Sequence, residues 1–353
     1  MFRQTINKIS KIFYWEFWPV WLSGSPLVLF LFYFGIRARK LFFLTNVNPA
    51  FENSALVYSS KFKILKQLNP DSIPKSVFFK HRNVELSELE LLLNEHDLNF
   101  PIIVKPDRGE RGLLVEKIKN IGELKKYLDS NKIDFILQEF VELPNEIGIF
   151  FNKMPGTEEI NISSLCLKEF LQLKGDGYST IRELLLNDFY GKHQLERFEE
   201  CFGESINQVL SKGETRLLEP IGNHSRGTKF MDGSHLIDEY IINLIRYIIQ
   251  NKEGINYGRF DIKYNNIKEL KDKRNFKVIE LNGVASEPTH VYDRSINIFK
   301  KYKIWYDHWN TMYQISKLQT SLGHIPLSAK SVLKILKNYI FYLRNINRSW
   351  NAA

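Results

Sequence analysis

Short runs with a period of two dominate the chain after about residue 75, and short amphipathic helical patterns fall between them. The clearest alternation is in 257–264 and 276–281, where aromatic and branched residues alternate with polar ones, predicting two neighbouring strands. The intervening 265–275 is too charged to be buried and reads as a polar loop. Further strands are predicted at 76–80, at 101–105 (an unbroken apolar run), at 134–140, from Glu146 onward and at 215–221. Helices are predicted at 60–67, ended by Pro70 and Pro74, at 85–94, and at 179–187, where Ser179 and Glu183 suggest a capping arrangement. The expected fold class is α/β (α+β).

The two ends of the chain depart from this pattern. Segment 17–36 carries no charge and is about the 20 residues a spanning helix needs, but Pro19, Gly24 and Pro26 leave only 27–36 as a clean helical run. Basic residues flank both sides (Arg3, Lys8 and Lys11; Arg37, Arg39 and Lys40), so they give no orientation. Its aromatic load suits a bilayer interface, and equally an aromatic pair of helices packed on the protein itself. Segment 329–346 is basic and amphipathic and has the same two readings: an acidic membrane surface or its own domain. Membrane contact is therefore expected, if anywhere, through 13–36 and 329–346.

Composition narrows the class. Apolar content of 44% and charge of 25% belong to a globular chain of 353 residues. A net charge of +9 and a pI near 9.2 allow an anionic partner, but no zinc-finger or RNA-binding signature accompanies them, so nucleic acid is not expected. Two cysteines, Cys166 and Cys201, do not make a disulfide framework and point to a reducing compartment, the cytoplasm.

Candidate chemistry gathers at 257–293. On the first strand Arg259 and Asp261 are two apart and leave the same face, and the second strand ends in Glu280 and Asn282. Three oxygen donors on two paired strands suit a hard cation, Mg²⁺ or Mn²⁺, which takes carboxylates together with substrate phosphates. An adjacent guanidinium suits phosphoryl chemistry. Upstream, Lys105 closes a strand before a loop containing Gly109 and Gly112, although GxxxxGK[ST] is absent. By itself that reads as an ordinary strand exit. Glu139 and Glu146 are seven apart across a short connection and by spacing alone read as surface residues. In 222–228, His224 and Arg226 lie between two glycines, either as a clamp for a carboxylate or acyl phosphate or as a polar turn. Ser286, Glu287 and His290 follow the second strand as candidates for the acceptor side, Glu287 suggesting an amine.

GRFD at 258–261 followed by ELN at 280–282 resembles the metal-binding end of the ATP-grasp ligases, and the resemblance extends over roughly Lys61 to Pro288. It implies two lobes clasping ATP. Lys61 and Lys105 would lie on the phosphates, 109–112 would be a lid, and Glu139, Phe140, Val141 and Glu146 would hold the nucleoside. Asp261, Glu280 and Asn282 would bind Mg²⁺, with Arg259, Arg226 and His224 around an acyl phosphate. Arg108, Glu110 and Arg111 replace the serine-rich loop of the D-alanine ligases, and the GDG stretch at 175–177 is similar to one in cyanophycin-synthetase-like enzymes. The domain division expected is 1–45, an ATP-grasp region 46–315 (divided near 150), and a tail 316–353. The implied activity joins a carboxylate to an amine or thiol with release of ADP and phosphate. A kinase acting on a hydroxyl, or a non-catalytic membrane-attached ATP-binding module, are the alternatives.

Overall fold

Two antiparallel sheets, each apolar on one face and polar over part of the other, place the candidate residues between them. A computed structural model describes residues 25–110, 112–219, 222, 226–250 and 252–350. In chain order, helix α1 (Ser25–Arg37) and α2 (Lys61–Leu65) precede β1 (Ser76–Phe79), α3 (Leu86–Glu95), β2 (Ile102–Pro106), β3 (Glu116–Ile118), α4 (Ile121–Ser130) and β4 (Phe135–Glu139). Then come β5 (Asn145–Lys153), β6 (Ile160–Glu169), β7 (Gln172–Lys174), α5 (Ile181–Asn187), α6 (Leu195–Phe202), β8 (Thr215–Leu217) and β9 (Lys229–Asp232). The chain ends with α7 (Glu239–Ile249), β10 (Tyr257–Tyr264), α8 (Ile267–Lys271), β11 (Phe276–Asn282), α9 (Ile298–Ser321) and α10 (Ala329–Trp350).

The first sheet has the order β1-β4-β2-β3. Val77, Phe79, Ile102, Val104, Phe135 and Leu137 turn one face onto Leu89 and Leu93 of α3 and Leu124 and Leu128 of α4. The second sheet, β11-β10-β5-β6-β9, buries Ile147, Ile149, Phe260 and Ile262 against Ile241, Leu244, Ile245, Ile248 and Ile249 of α7. Those five residues of α7 recur at three- and four-residue spacing, which gathers them on one stripe. On its other face, Phe150 and Tyr257 meet Met312 and Ile315 of α9 and Phe34 of α1. Only the remaining part of that face stays polar.

Most predicted strands and helices are present to within a few residues, with two local corrections. The 265–275 connection contains α8, because Asn266 caps it by accepting from the Glu269 backbone N–H. The cap of α5 is Thr180, not Ser179: Thr180 and Glu183 form a reciprocal capping box, while Ser179 donates its backbone N–H to Asp176. The clean run at 27–36 is helical, within α1, and its inner face packs on α9 through Phe30, Phe34 and Tyr306. No helix among the described residues is long and apolar enough to cross a membrane. Residues 13–24 of the N-terminal segment lie outside those described, and position 315 falls inside α9.

Asn48 ties the N-terminal region to the start of β10. Its Oδ1 accepts from the backbone N–H of Asn256 (2.8 Å) and Tyr257 (2.9 Å), and its Nδ2 donates to the Tyr257 carbonyl at 2.8 Å. All three bonds are buried. Buried groups left without partners cost about 1–3 kcal/mol each. Asn48→Ala should therefore lower unfolding free energy by about 3 kcal/mol in urea titration, whereas a loss under about 0.5 kcal/mol, the range of an ordinary surface change, would mean that the latch carries nothing.

Candidate active site

One register irregularity builds the site. In β11, Phe276 and Val278 pair with Tyr264 and Ile262 on the apolar face. A strict period of two would send Glu280 to that same face. The register shifts between Asp261 and Ile262, so that Ile279 has no cross-strand partner and Glu280 stands opposite Asp261. This extra residue is a β-bulge, and it moves Glu280 and Asn282 onto the polar face. Arg259, two residues from Asp261, stands opposite Asn282. Across β5, Asp261 faces Gly148 and Lys263 faces Glu146, and Glu146 in turn faces Lys168 on β6. Gly148 keeps the middle of this floor low: a Cβ there would lie 3.3 Å from Thr289 Oγ1 and 3.6 Å from Asp261 Oδ1.

The side chains form one ion network. Lys168 Nζ lies 2.5 Å from Glu146 Oε1 and 2.8 Å from Asp261 Oδ1, with all three side chains no more than 6% exposed. Asp261 Oδ2 accepts from Arg259 Nη2 at 3.1 Å and from Asn282 Nδ2 at 3.0 Å. Arg259 Nη1 donates to the Glu287 carbonyl at 2.9 Å, and its buried Nε has no partner. Lys61, the first residue of α2, pairs with Glu280. From the first sheet, Lys105 Nζ donates to Gln138 Oε1 at 2.9 Å and to the carbonyl of the bulged Ile279 at 3.1 Å. The bulge thus both turns Glu280 and supplies the acceptor that joins the sheets.

These contacts set the protonation states. Burial would raise the Asp261 carboxyl, but Arg259 and Lys168 hold it well below the usual carboxylate range. Burial likewise opposes charge on Lys168, yet Asp261 and Glu146 keep its ammonium above the ordinary value. Glu280, also buried, is held down by Lys61 and Lys105. Lys105 is the exception: burial pushes it down to about 8, with Glu280 opposing and Lys61 adding to the shift. Four cations (Lys61, Lys105, Lys168, Arg259) meet three carboxylates (Glu146, Asp261, Glu280), and the excess is positive. Such a site attracts a polyanion.

Beside it, Phe140, Val141, Leu143, Pro144, Phe170, Leu217 and Lys263 line an open cavity of about 240 Å³. Phe140 and Val141 are thus placed together at an apolar recess, and Lys263, opposite Glu146, links the recess to the charged floor.

Other expected residues are dispersed. Glu139 alternates with Gln138 and turns away from Lys105; its carboxylate accepts from the Lys75 backbone N–H at 3.1 Å. Arg226 reaches the Gly112 carbonyl at 3.4 Å and Glu219 at 3.8 Å, not the floor. Gly109 lies against Pro106, and Gly112 takes a positive φ that favours glycine. His224 lies outside the described residues, but its neighbour Gly222 crosses directly over Glu146, where a Cβ would come 2.5 Å from Oε1. On the acceptor side, Ser286 bonds the Asn282 carbonyl and the Glu287 carboxylate accepts from Tyr292. His290 is buried, which pushes its imidazole down toward the neutral form, and its Nδ1 has no partner.

Lys168, Gln138 and Lys263 were not singled out by the sequence patterns. Lys168 was detectable in principle: it falls in phase with the buried Ser164 and Cys166, and a lysine in a buried phase needs carboxylate partners.

For the cation, Asp261, Glu280 and Asn282 form an all-oxygen set suited to Mg²⁺, short of a full shell without phosphate oxygens. Among the described residues no cluster of three or more histidine, cysteine or acidic side chains could hold a metal alone.

No family model matches the sequence, and no curated protein is similar to it at a significant level. Among solved structures it is similar to a bifunctional glutathione synthetase from Pasteurella multocida, with 18% identity and a TM-score of 0.37 over 66% of this chain and 33% of that one. It is also similar to the VanG D-Ala:D-Ser ligase from Enterococcus faecalis, with 15% identity and a TM-score of 0.41 over 74% and 64% of the two chains. The chain spans only those shares of the two neighbours, so the chemistry has to be read from its own residues.

Lys105 gives the site a pH dependence. Protonated, it attracts an anion; neutral, it does not, so the affinity of the site for an anionic ligand should be highest below about pH 8 and fall above it. Calorimetric titration of ADP from pH 7 to 9.5 should show that fall in the native chain and a flatter profile in Lys105→Gln. Parallel profiles for the two proteins would exclude Lys105 as the titrating group.

Proposed function

We propose that this chain is an ATP-dependent carboxylate–amine ligase of the ATP-grasp type, acting through an acyl phosphate. The observation that carries the reading is the buried polar face on which Arg259 and Lys168 share Asp261, with Lys61 and Lys105 facing it from the other sheet side. Lys61 and Lys105 bind the phosphates as fixed charges. The recess at Phe140 and Val141 takes the base, with Glu146 near the ribose. Arg259 and Lys168 lie where negative charge grows as a substrate carboxylate attacks the terminal phosphorus. Charge fixed before the reaction stabilises such a state without reorganisation.

Asp261, Glu280 and Asn282 would hold Mg²⁺ together with phosphate oxygens, and the ion would supply neutralising charge there. The unpartnered Nε of Arg259 and the buried His290 are the groups left to meet the substrate carboxylate and the acceptor. Gly222 lies over Glu146, and Arg226 reaches the Gly112 carbonyl.

Hydroxylamine intercepts acyl phosphates as hydroxamates. With ATP, Mg²⁺ and a panel of amino acids and cell-envelope carboxylates, hydroxamate should form together with ADP. Arg259→Lys keeps the charge but loses the fork that bridges Asp261 and the Glu287 carbonyl. It should lower trapping by about 10²-fold, the scale of one lost transition-state donor. ADP release without hydroxamate would favour phosphorylation of a hydroxyl, and nucleotide binding without ADP release would leave a non-catalytic module.

A further inference from the structure

The outer face of α10 interleaves exposed cations with large exposed apolar side chains. The helix has no aspartate or glutamate anywhere in Ala329–Trp350. Its inner face is docked: Val332 and Ile346 are buried, and the rings of Tyr339 and Tyr342 lie 6.2 and 5.3 Å from that of Tyr58. On the outside, Lys330, Leu333, Lys334, Lys337, Ile340, Phe341 and Arg344 are all exposed. At 3.6 residues per turn these seven fall within an arc of about 120°, centred opposite the docked residues. Leu333 is 62% exposed, Ile340 50% and Phe341 66%. A face meant only for water would not carry three large apolar residues, and one packed on the protein would not carry four cations.

We propose that this face seats the protein on an anionic lipid bilayer. Charge complementarity selects the occupant. Four basic side chains with no acid among them meet the negative surface of an anionic leaflet. Leu333, Ile340 and Phe341, interleaved with them, enter the boundary between headgroups and acyl chains, as the apolar face of an interfacial helix does. The long lysine and arginine stems let the charges stay at headgroup level while the apolar tips go deeper. The net charge of +9 on the whole chain adds to the attraction. The helix lies on the surface without spanning, since its inner face is already committed to Tyr58 and the first sheet's core.

The test is flotation of the full chain with vesicles of phosphatidylcholine alone, or with about a third phosphatidylglycerol, a composition that sets the surface charge. The chain should float with the anionic vesicles at least tenfold more than with the neutral ones, and high salt should abolish the difference. The pair Leu333→Asn with Phe341→Asn, and the triple Lys330→Gln, Lys334→Gln and Lys337→Gln, should each reduce flotation at least tenfold. All five positions are exposed, so an unchanged thermal midpoint serves as the check on folding. A change at the equally exposed Leu91 of α3 is the control and should have no comparable effect. No flotation, equal flotation with neutral vesicles, or flotation that survives both sets of α10 substitutions would overturn the proposal. So would a dimer in solution that the same substitutions dissolve, because the face would then belong to a second copy of the chain.

Discussion

The extra residue at Ile279 is the constraint on which the rest of the site depends. Without it, Glu280 would continue the phase of Phe276 and Val278 and enter the apolar layer beneath α7. An unpaired carboxylate there would cost several kcal/mol. With it, Glu280 meets Asp261 on the opposite face, Asn282 meets Arg259, and the freed Ile279 carbonyl takes the ammonium of Lys105 from the other sheet. One local irregularity therefore couples the position of the oxygen donors to that of the Lys105 ammonium from the other sheet.

Every carboxylate of the floor already has a cationic partner. Lys168 lies between Glu146 and Asp261, Arg259 holds Asp261 from the other side, and Lys61 holds Glu280. A free divalent cation would have to displace a cationic side chain from each carboxylate ligand and would meet a net positive field. On the proposed reading a triphosphate would reverse this balance. Its oxygens would draw the lysines, free the carboxylates and supply the remaining ligands of a metal shell. On this account metal and nucleotide enter as a coupled pair, and the network in the bare protein serves to keep buried charges satisfied until they do.

Much of this was legible in the sequence, for identifiable reasons. The paired strands at 257–264 and 276–281, and the common face of Arg259 and Asp261, follow from alternation bounded by a polar stretch. The bulge does not: in FKVIEL a regular period of two is as good a reading, and only the pairing with β10 decides where the extra residue falls. The resemblance points to Glu139, seven residues before Glu146, whereas strand alternation turns Gln138 toward Lys105. In β6 the alternation breaks at Ser163, so the buried phase of Lys168 shows only over Ser164, Cys166 and Lys168. The apolar stripe of α7 is legible in 239–249, although no helix is predicted there above. Ion partners, unlike periodicity, join residues far apart in sequence, so the network could be foreseen only in parts.

Manganese binding reports most directly on the coupled charge balance. Mn²⁺ is titrated into the native chain with the free ion followed by its paramagnetic resonance, first alone and then with saturating ADP. Weak binding alone and at least tenfold tighter binding with ADP is the predicted result. Equally tight binding to the bare protein, or no binding under either condition, would contradict the account.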